Sequence, residues 1–208
     1  MSTPLLSSFS SGGVRVLDAS AVINLNATDC AHDILRALGD RIVVVDTVVD
    51  ELAVGTRTSR EDPAKLQDLV AASAIELVTL GQVGSEHFAA LVAGRASETL
   101  DDGEAASIAF ALESGGAVVI DERKANRICR ERFPQLRLAC TVDIFLHPAV
   151  GAALGRERLI SAVLSALQRA RMQVPVHHLA SVVDLVGVEQ AGRCPSLPRS
   201  VREPLRQK

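Results

Sequence analysis

Four carboxylates in this chain stand where a hard divalent cation would find oxygen ligands. Asp18 ends the run Val14-Arg-Val-Leu-Asp18 and Asp121 ends Ala117-Val-Val-Ile-Asp121. Glu51 lies in Val48-Val-Asp-Glu-Leu52, and Glu104 in Leu100-Asp-Asp-Gly-Glu104. They are far apart in sequence. If the apolar runs are parallel strands, their carboxyl ends converge on one rim of a sheet, where α/β proteins place their sites. Carboxylates gathered there repel one another. Protonation relieves the repulsion, and so does a cation bound through oxygen, which would make the site metal-dependent.

Each acid also has a plainer reading. Asp18 precedes Ala19-Ser20, where a helix can begin, and could simply cap it. Ser20 could orient Asp18, hold a metal-bound water or merely start that helix. Glu51 borders the stripe formed by Val48 and Leu52, which are four apart on one helix face. It can reach the rim, while Asp50 points about a hundred degrees away. Taken alone, Glu51 is an ordinary surface acid. Asp101-Asp-Gly-Glu104 has the form of a capping box, with Glu104 closing back on the backbone. Asp102 is the substitute if the register differs. Glu122 should diverge from Asp121 and play a supporting or solvated part. The equivalent placement of all four acids favours a shared site.

Beyond Glu122 come Arg123-Lys-Ala-Asn-Arg127, then Arg130 and Arg132. Arg123, Arg127 and Arg130 recur at helical spacing. With Lys124 they could hold a phosphate backbone near the acids, or form a solvated face. The chain has no Trp, no Tyr and five Phe, so base stacking on an aromatic platform is not expected. His32, His87, His147, His177 and His178 form no catalytic pattern with Ser or Cys. Cys30, Cys129, Cys140 and Cys194 contain no C-x-x-C, which argues against a zinc site. The first three read as small core residues. Ser11-Gly-Gly precedes the first strand instead of following it, so it is no dinucleotide fingerprint, and there is no P-loop.

The elements that must position these groups alternate strand and helix. Strands are predicted over Val14–Asp18, Arg41–Asp46, Ile75–Leu80, Ala117–Asp121 and Leu136–Cys140. Helices are predicted over Ala31–Leu38, Thr47–Val54, Pro63–Ser73, Ser85–Gly94, Asp102–Ser114, Glu122–Arg132, Val142–Leu154, Glu157–Met172 and Val176–Val186. This order predicts an α/β fold, a three-layer α/β/α sandwich on a parallel sheet of about five strands with extra helices at the C-terminal end.

A length of 208 residues suits one domain. With 48% apolar residues a full core is available, built mainly from Ala, Val, Leu and Ile. The net charge of −3 supplies no general field for nucleic acid. Residues 1–13 read as a flexible leader, 14–188 as the domain and 189–208 as a flexible basic tail rich in Pro and Arg. Few, unpatterned cysteines and no signal-like or membrane-length run point to the cytoplasm.

The runs Leu17-Asp-Ala-Ser-Ala-Val-Ile-Asn-Leu25, Val48-Val-Asp-Glu-Leu52, Gly103-Glu-Ala-Ala-Ser-Ile-Ala-Phe-Ala-Leu112 and Val119-Ile-Asp-Glu-Arg-Lys-Ala-Asn-Arg127 together resemble a PIN domain of the prokaryotic branch. The order and context of all four acids carry the resemblance. It implies a Mg2+- or Mn2+-dependent nuclease acting on RNA, often the toxin of a toxin–antitoxin pair and often a homodimer. The family's metal-binding acids fall on Asp18, Glu51, Glu104 and Asp121. Ser20 matches a common hydroxyl beside the first acid, and Thr141 a small hydroxyl residue after the fifth strand. The third acid is Glu where many relatives have Asp, and Glu122 replaces the second Asp of a common pair. Two other classes stay open. One is a PIN-like module that binds RNA or a protein partner without cutting. The other is a phosphoryl-transfer domain of the receiver or haloacid-dehalogenase kind. The second of these kinds expects Asp where Ser20 stands, and the first expects a Lys that Thr141-Val-Asp143 does not provide.

Overall fold

The structure is a computed structural model that describes residues 12–54 and 61–203. Five strands form one parallel sheet in the order β3-β2-β1-β4-β5. They are β1 (Val14–Leu17), β2 (Arg41–Val45), β3 (Glu76–Val78), β4 (Ala117–Val119) and β5 (Arg137–Ala139). Val16 stands opposite Val43 on one side and Val118 on the other. Side chains alternate across the pleat. Leu17, Ile42, Val44 and Val119 therefore enter one core, and Val16, Val43, Val45 and Val118 the other. Both faces are covered at the centre of the sheet, which fits the unbroken apolar runs Ile42–Val45 and Ala117–Val119.

The first core is covered by α1 (Ala19–Asn26), α2 (Ala31–Leu38), α4 (Asp62–Ala71), α8 (Thr141–Phe145), α9 (Pro148–Gln168) and α10 (Leu179–Val186). The second is covered by α5 (Gln82–Val92), α6 (Asp102–Ser114) and α7 (Arg123–Arg132). The helix α3 (Asp46–Val54) leaves β2 at the rim and sends Val48 and Leu52 into the first core. The expected three-layer sandwich is present. From β1 the chain runs outward through β2 and β3, then crosses to β4 on the other side. That reversal opens a crevice between the carboxyl ends of β1 and β4.

Two expectations need correction. The helix expected over Val142–Leu154 is broken, because His147 is extended (ψ 129°) and Pro148 begins α9. A residue before proline is driven out of the helical region. Gly155, at φ 72°, then kinks α9. The flexible tail expected from residue 189 is ordered as far as residue 203, through α11 (Val188–Gly192) and α12 (Arg199–Arg202). Ala191, Cys194 and Leu197 are buried in the first core. Averaged composition hid three apolar anchors among prolines and arginines. Residues 204–208, and all but the last two of the expected leader, lie outside the described residues. Among those described, no helix is long and apolar enough to cross a membrane.

Candidate metal centre

Asp18 directly follows β1, and its backbone N–H donates to the carbonyl of Val119 in β4 (3.3 Å). The next residues turn into α1, with Asp18 as N-cap. One carboxylate oxygen accepts the Ala21 N–H at 2.8 Å, and the Ser20 hydroxyl donates to the carboxylate at 2.9 Å. The capping reading and the site reading therefore hold together. The cap fixes the carboxylate while leaving it on the cavity wall. Asp121 follows β4 and is buried. It accepts three hydrogen bonds, from the Thr141 N–H (2.8 Å), the Thr141 hydroxyl (2.6 Å) and the Asn24 amide (2.6 Å).

These two acids share a cavity of about 460 Å³ with Ser20, Asn24, Glu51, Asp101, Glu104 and Glu122. The four predicted acids thus meet on one wall system at the crevice between β1 and β4. Glu51 is exposed and leans over the first turn of α6. Its Oε2 lies 1.9 Å from where a Cβ on Gly103 would stand. Gly103 therefore permits a close approach that any side chain would block. Glu104 accepts a bond from the Asp101 backbone, while the Asp101 side chain caps nothing, so only half of the expected capping box forms. Asp102 is exposed and opens on a neighbouring cleft with Asp50.

Burial and mutual repulsion raise the acids' proton affinity. Burial, then the charge of Asp121, pushes Asp18 well above the usual carboxylate range. Burial, then repulsion from Glu122 and Asp101, moves Glu104 from 4.5 to about 7. Asp121 is raised by burial and pulled back by its Thr141 and Asn24 donors. Such a cluster gains from a cation. The lining residues offer carboxylate and amide oxygens with no imidazole and no thiol, a donor set that fits a hard divalent ion.

The supporting residues fall in different places. Thr141 is buried behind the wall as the holder of Asp121. Glu122 lines the same cavity as Asp121 and caps α7 through the N–H groups of Lys124 and Ala125. Arg123 and Arg127 line an adjoining cavity that shares only Asp121 and Gln173 with the first. Arg127 is also engaged, with Glu131 (2.9 Å) and the Ser97 carbonyl (2.9 Å). Lys124 lines neither cavity.

Sequence reasoning missed two residues. Asn24 is 3% exposed on the inner face of α1 and positions Asp121. A polar side chain one turn after Ala21, on an otherwise apolar face, was the available signal. Arg171 reaches the acidic cavity from the turn after α9, in a left-handed conformation (φ 55°). No local sequence signal marks that placement. A bulky residue seldom takes it.

The close approach at Gly103 makes a sharp prediction. In Gly103→Ala the added methyl clashes with the end of the flexible Glu51 side chain and makes an ordinary contact with Val48 (3.6 Å). Stability should change by less than about 1 kcal/mol. Glu51 must swing away from the cavity, so Mn2+ affinity should fall about tenfold. Calorimetric Mn2+ titration beside thermal unfolding checks both halves. Unchanged Mn2+ affinity would remove Glu51 from the site.

A family model described as a PIN domain matches residues 14–187. No curated protein and no solved structure matches the chain.

Proposed function

The chain belongs to the PIN-domain family, and on that premise we propose that it is a Mg2+- or Mn2+-dependent endoribonuclease. Asp18, Glu51, Glu104 and Asp121 would hold the cation. PIN domains are generally nucleases, and the observation supporting this site is the convergence of four acids in one cavity, three of which, Asp18, Glu104 and Asp121, are raised in proton affinity by burial and their neighbours. A bound divalent cation supplies Lewis-acid polarisation of a phosphodiester and stabilises charge on the departing oxygen. The protein's own groups set the geometry. Ser20 and the Ala21 N–H fix Asp18, and Thr141 with Asn24 fixes Asp121. Without a cation, burial and repulsion push Glu104 up to about 7, so binding an ion there would release its proton.

The test is incubation of a labelled RNA with the protein in Mn2+, in Mg2+ and in EDTA. Cleavage in either ion and none in EDTA is expected. Binding without cleavage in both ions would favour the non-cutting module, and cleavage in EDTA would refute the mechanism.

The cationic residues around the two cavities would hold the substrate backbone. Arg171 overhangs the acids, and Arg123 and Arg130 line the adjoining cavity. A strand crossing from one cavity to the other would pass Asp121. Phosphate contacts weaken as salt rises, because counterions are released on binding. Arg171→Ala, and separately Arg123→Ala with Arg127→Ala, should weaken binding to all RNA sequences alike. Each lost contact should flatten the salt dependence by about one unit of slope. Binding curves against salt, in Ca2+ to suppress cleavage, provide the measurement. An unchanged slope in the double variant would assign those arginines to a protein partner instead.

A partner belongs to the same proposal. Val54 is 85% exposed about one turn beyond Glu51 and offers an apolar foothold for an antitoxin segment beside the cavity. A homodimer is proposed on the family resemblance, with sedimentation analysis as its check.

A further inference from the structure

We infer that Cys140, Asp143 and His178 form a second cation site, distinct from the four acids and suited to a thiophilic divalent ion such as Zn2+. Their ligand atoms all lie within 4.8 Å of one another. The Cys140 Sγ is 3.1 Å from one oxygen of Asp143, and His178 Nε2 is 2.8 Å from the other. Ions of this kind bind S, N and O donors at about 2.0–2.3 Å, which places tetrahedral ligand atoms roughly 3.4–3.8 Å apart. With the ligand atoms up to 4.8 Å apart, rearrangements on the order of an ångström would bring the three donors onto one ion. A thiolate and an imidazole select Zn2+ over Mg2+, so the two centres would take different metals.

The sequence shows no compact zinc motif because the donors are a Cys-x-x-Asp pair and a histidine 35 residues beyond the Asp. Only the fold joins them. Cys140 and Asp143 sit at the start of α8, and His178 closes the short 3-10 turn over Val176–His178. Hydrogen bonding explains part of this arrangement, since Asp143 and Cys140 form a reciprocal cap on α8. A thiol is a poor capping group, however, and Ser, Thr, Asp or Asn would serve better. The cap does not account for His178 on the far oxygen of the same carboxylate. Cys140 and Asp143 also face the second cavity, of about 610 Å³, which leaves room for a water as fourth ligand.

Binding exchanges one bond for another. The Cys140 S–H proton leaves to solvent as the S–metal bond forms, and no oxidant is required. The ion would pin the segment from Gln173 to His178 onto the β5–α8 junction. Gln173 walls both cavities, and Thr141, which holds Asp121, is the next residue after Cys140. The second ion would therefore brace the acidic centre without entering it.

The test is titration of the full chain with Co2+ alone, followed by Zn2+. One equivalent of Co2+ should produce a near-ultraviolet thiolate-to-metal charge-transfer band, and Zn2+ should bleach it. Oxygen-only ligation at the acids cannot give that band. It should persist in Asp18→Asn, vanish in Cys140→Ser, and need at least about tenfold more Co2+ in His178→Ala. Should Cys140→Ser fail to fold, as judged by circular dichroism, His178→Ala decides. No band in the natural chain, or a band undiminished in either folded variant, overturns the site.

Discussion

Asp18→Asn is expected to cut metal-dependent RNA cleavage by about a thousandfold or more, the equivalent of roughly 4 kcal/mol of lost transition-state stabilisation. The metal-free protein should become more stable at the same time. Both outcomes follow from the surroundings of this one side chain. Asn can still accept the Ala21 N–H that Asp18 accepts at 2.8 Å, and Asn is as good a helix N-cap as Asp. The fold therefore keeps its local support. What disappears is a negative charge that burial and the neighbours Asp121 and Glu104 already disfavour. Asp121→Asn is a less clean variant. Its three hydrogen-bond donors, two from Thr141 and one from Asn24, would meet an amide with a single acceptor oxygen. It should lose cleavage equally while losing stability. Single-turnover cleavage in Mn2+, beside thermal unfolding in EDTA, separates the two variants. Retained cleavage in Asp18→Asn would remove the acid centre from the mechanism. Lost cleavage with a lowered unfolding temperature would show Asp18 to be structural.

Glu104→Gln should show an effect on stability that depends on pH. The folded protein holds the Glu104 proton up to about 7, against 4.5 for an ordinary glutamate. Between those values the folded chain carries a proton that the unfolded chain has lost. Without metal, stability therefore falls as pH rises through that window. The accumulated loss above pH 7 is on the order of 3 kcal/mol, or roughly 6–12 °C for a domain of this size. Glu104→Gln removes the loss. Its unfolding temperature in EDTA should exceed that of the natural chain by about that amount at pH 8 and by nearly nothing at pH 4.5. Adding Mn2+ should reverse the ranking at pH 8, because the natural carboxylate then has a cation to bind. Equal pH profiles for the two proteins would mean that Glu104 does not feel its neighbours.

Much of this could be read from the residues. Val14–Leu17, Arg41–Val45 and Ala117–Val119 are rich in β-branched apolar residues, broken only by Arg15 and Arg41, and both sheet faces are covered there. Helix ends at Gly39 and Gly115 are marked by glycine in the left-handed conformation (φ 68° and 65°), which favours that residue. The acids were legible for a related reason. A carboxylate immediately after a buried strand has nowhere to go but the rim, so Asp18 and Asp121 declare themselves locally.

Other features depend on contacts between distant segments, and no window of sequence contains them. Asn24 looks like any helix residue until the fold sets it 2.6 Å from Asp121. Gly103 looks like a weak spot in α6 until Glu51 is seen to need its space. Arg171 reaches the acids only because the chain turns back after α9, while the basic stretch at Arg123–Arg127 opens on the adjoining cavity. The arginines and prolines after residue 189 read as a tail, yet Ala191, Cys194 and Leu197 are buried in the first core. Cys140, Asp143 and His178 meet only through packing of the C-terminal turn on α8. The sequence by itself determined the alternation of strands and helices and the residue types at the rim, because side-chain periodicity and strand ends are local properties. Only the tertiary structure decided which polar groups face one another, because a hydrogen bond or a metal site depends on distance in space, which packing of the whole chain sets.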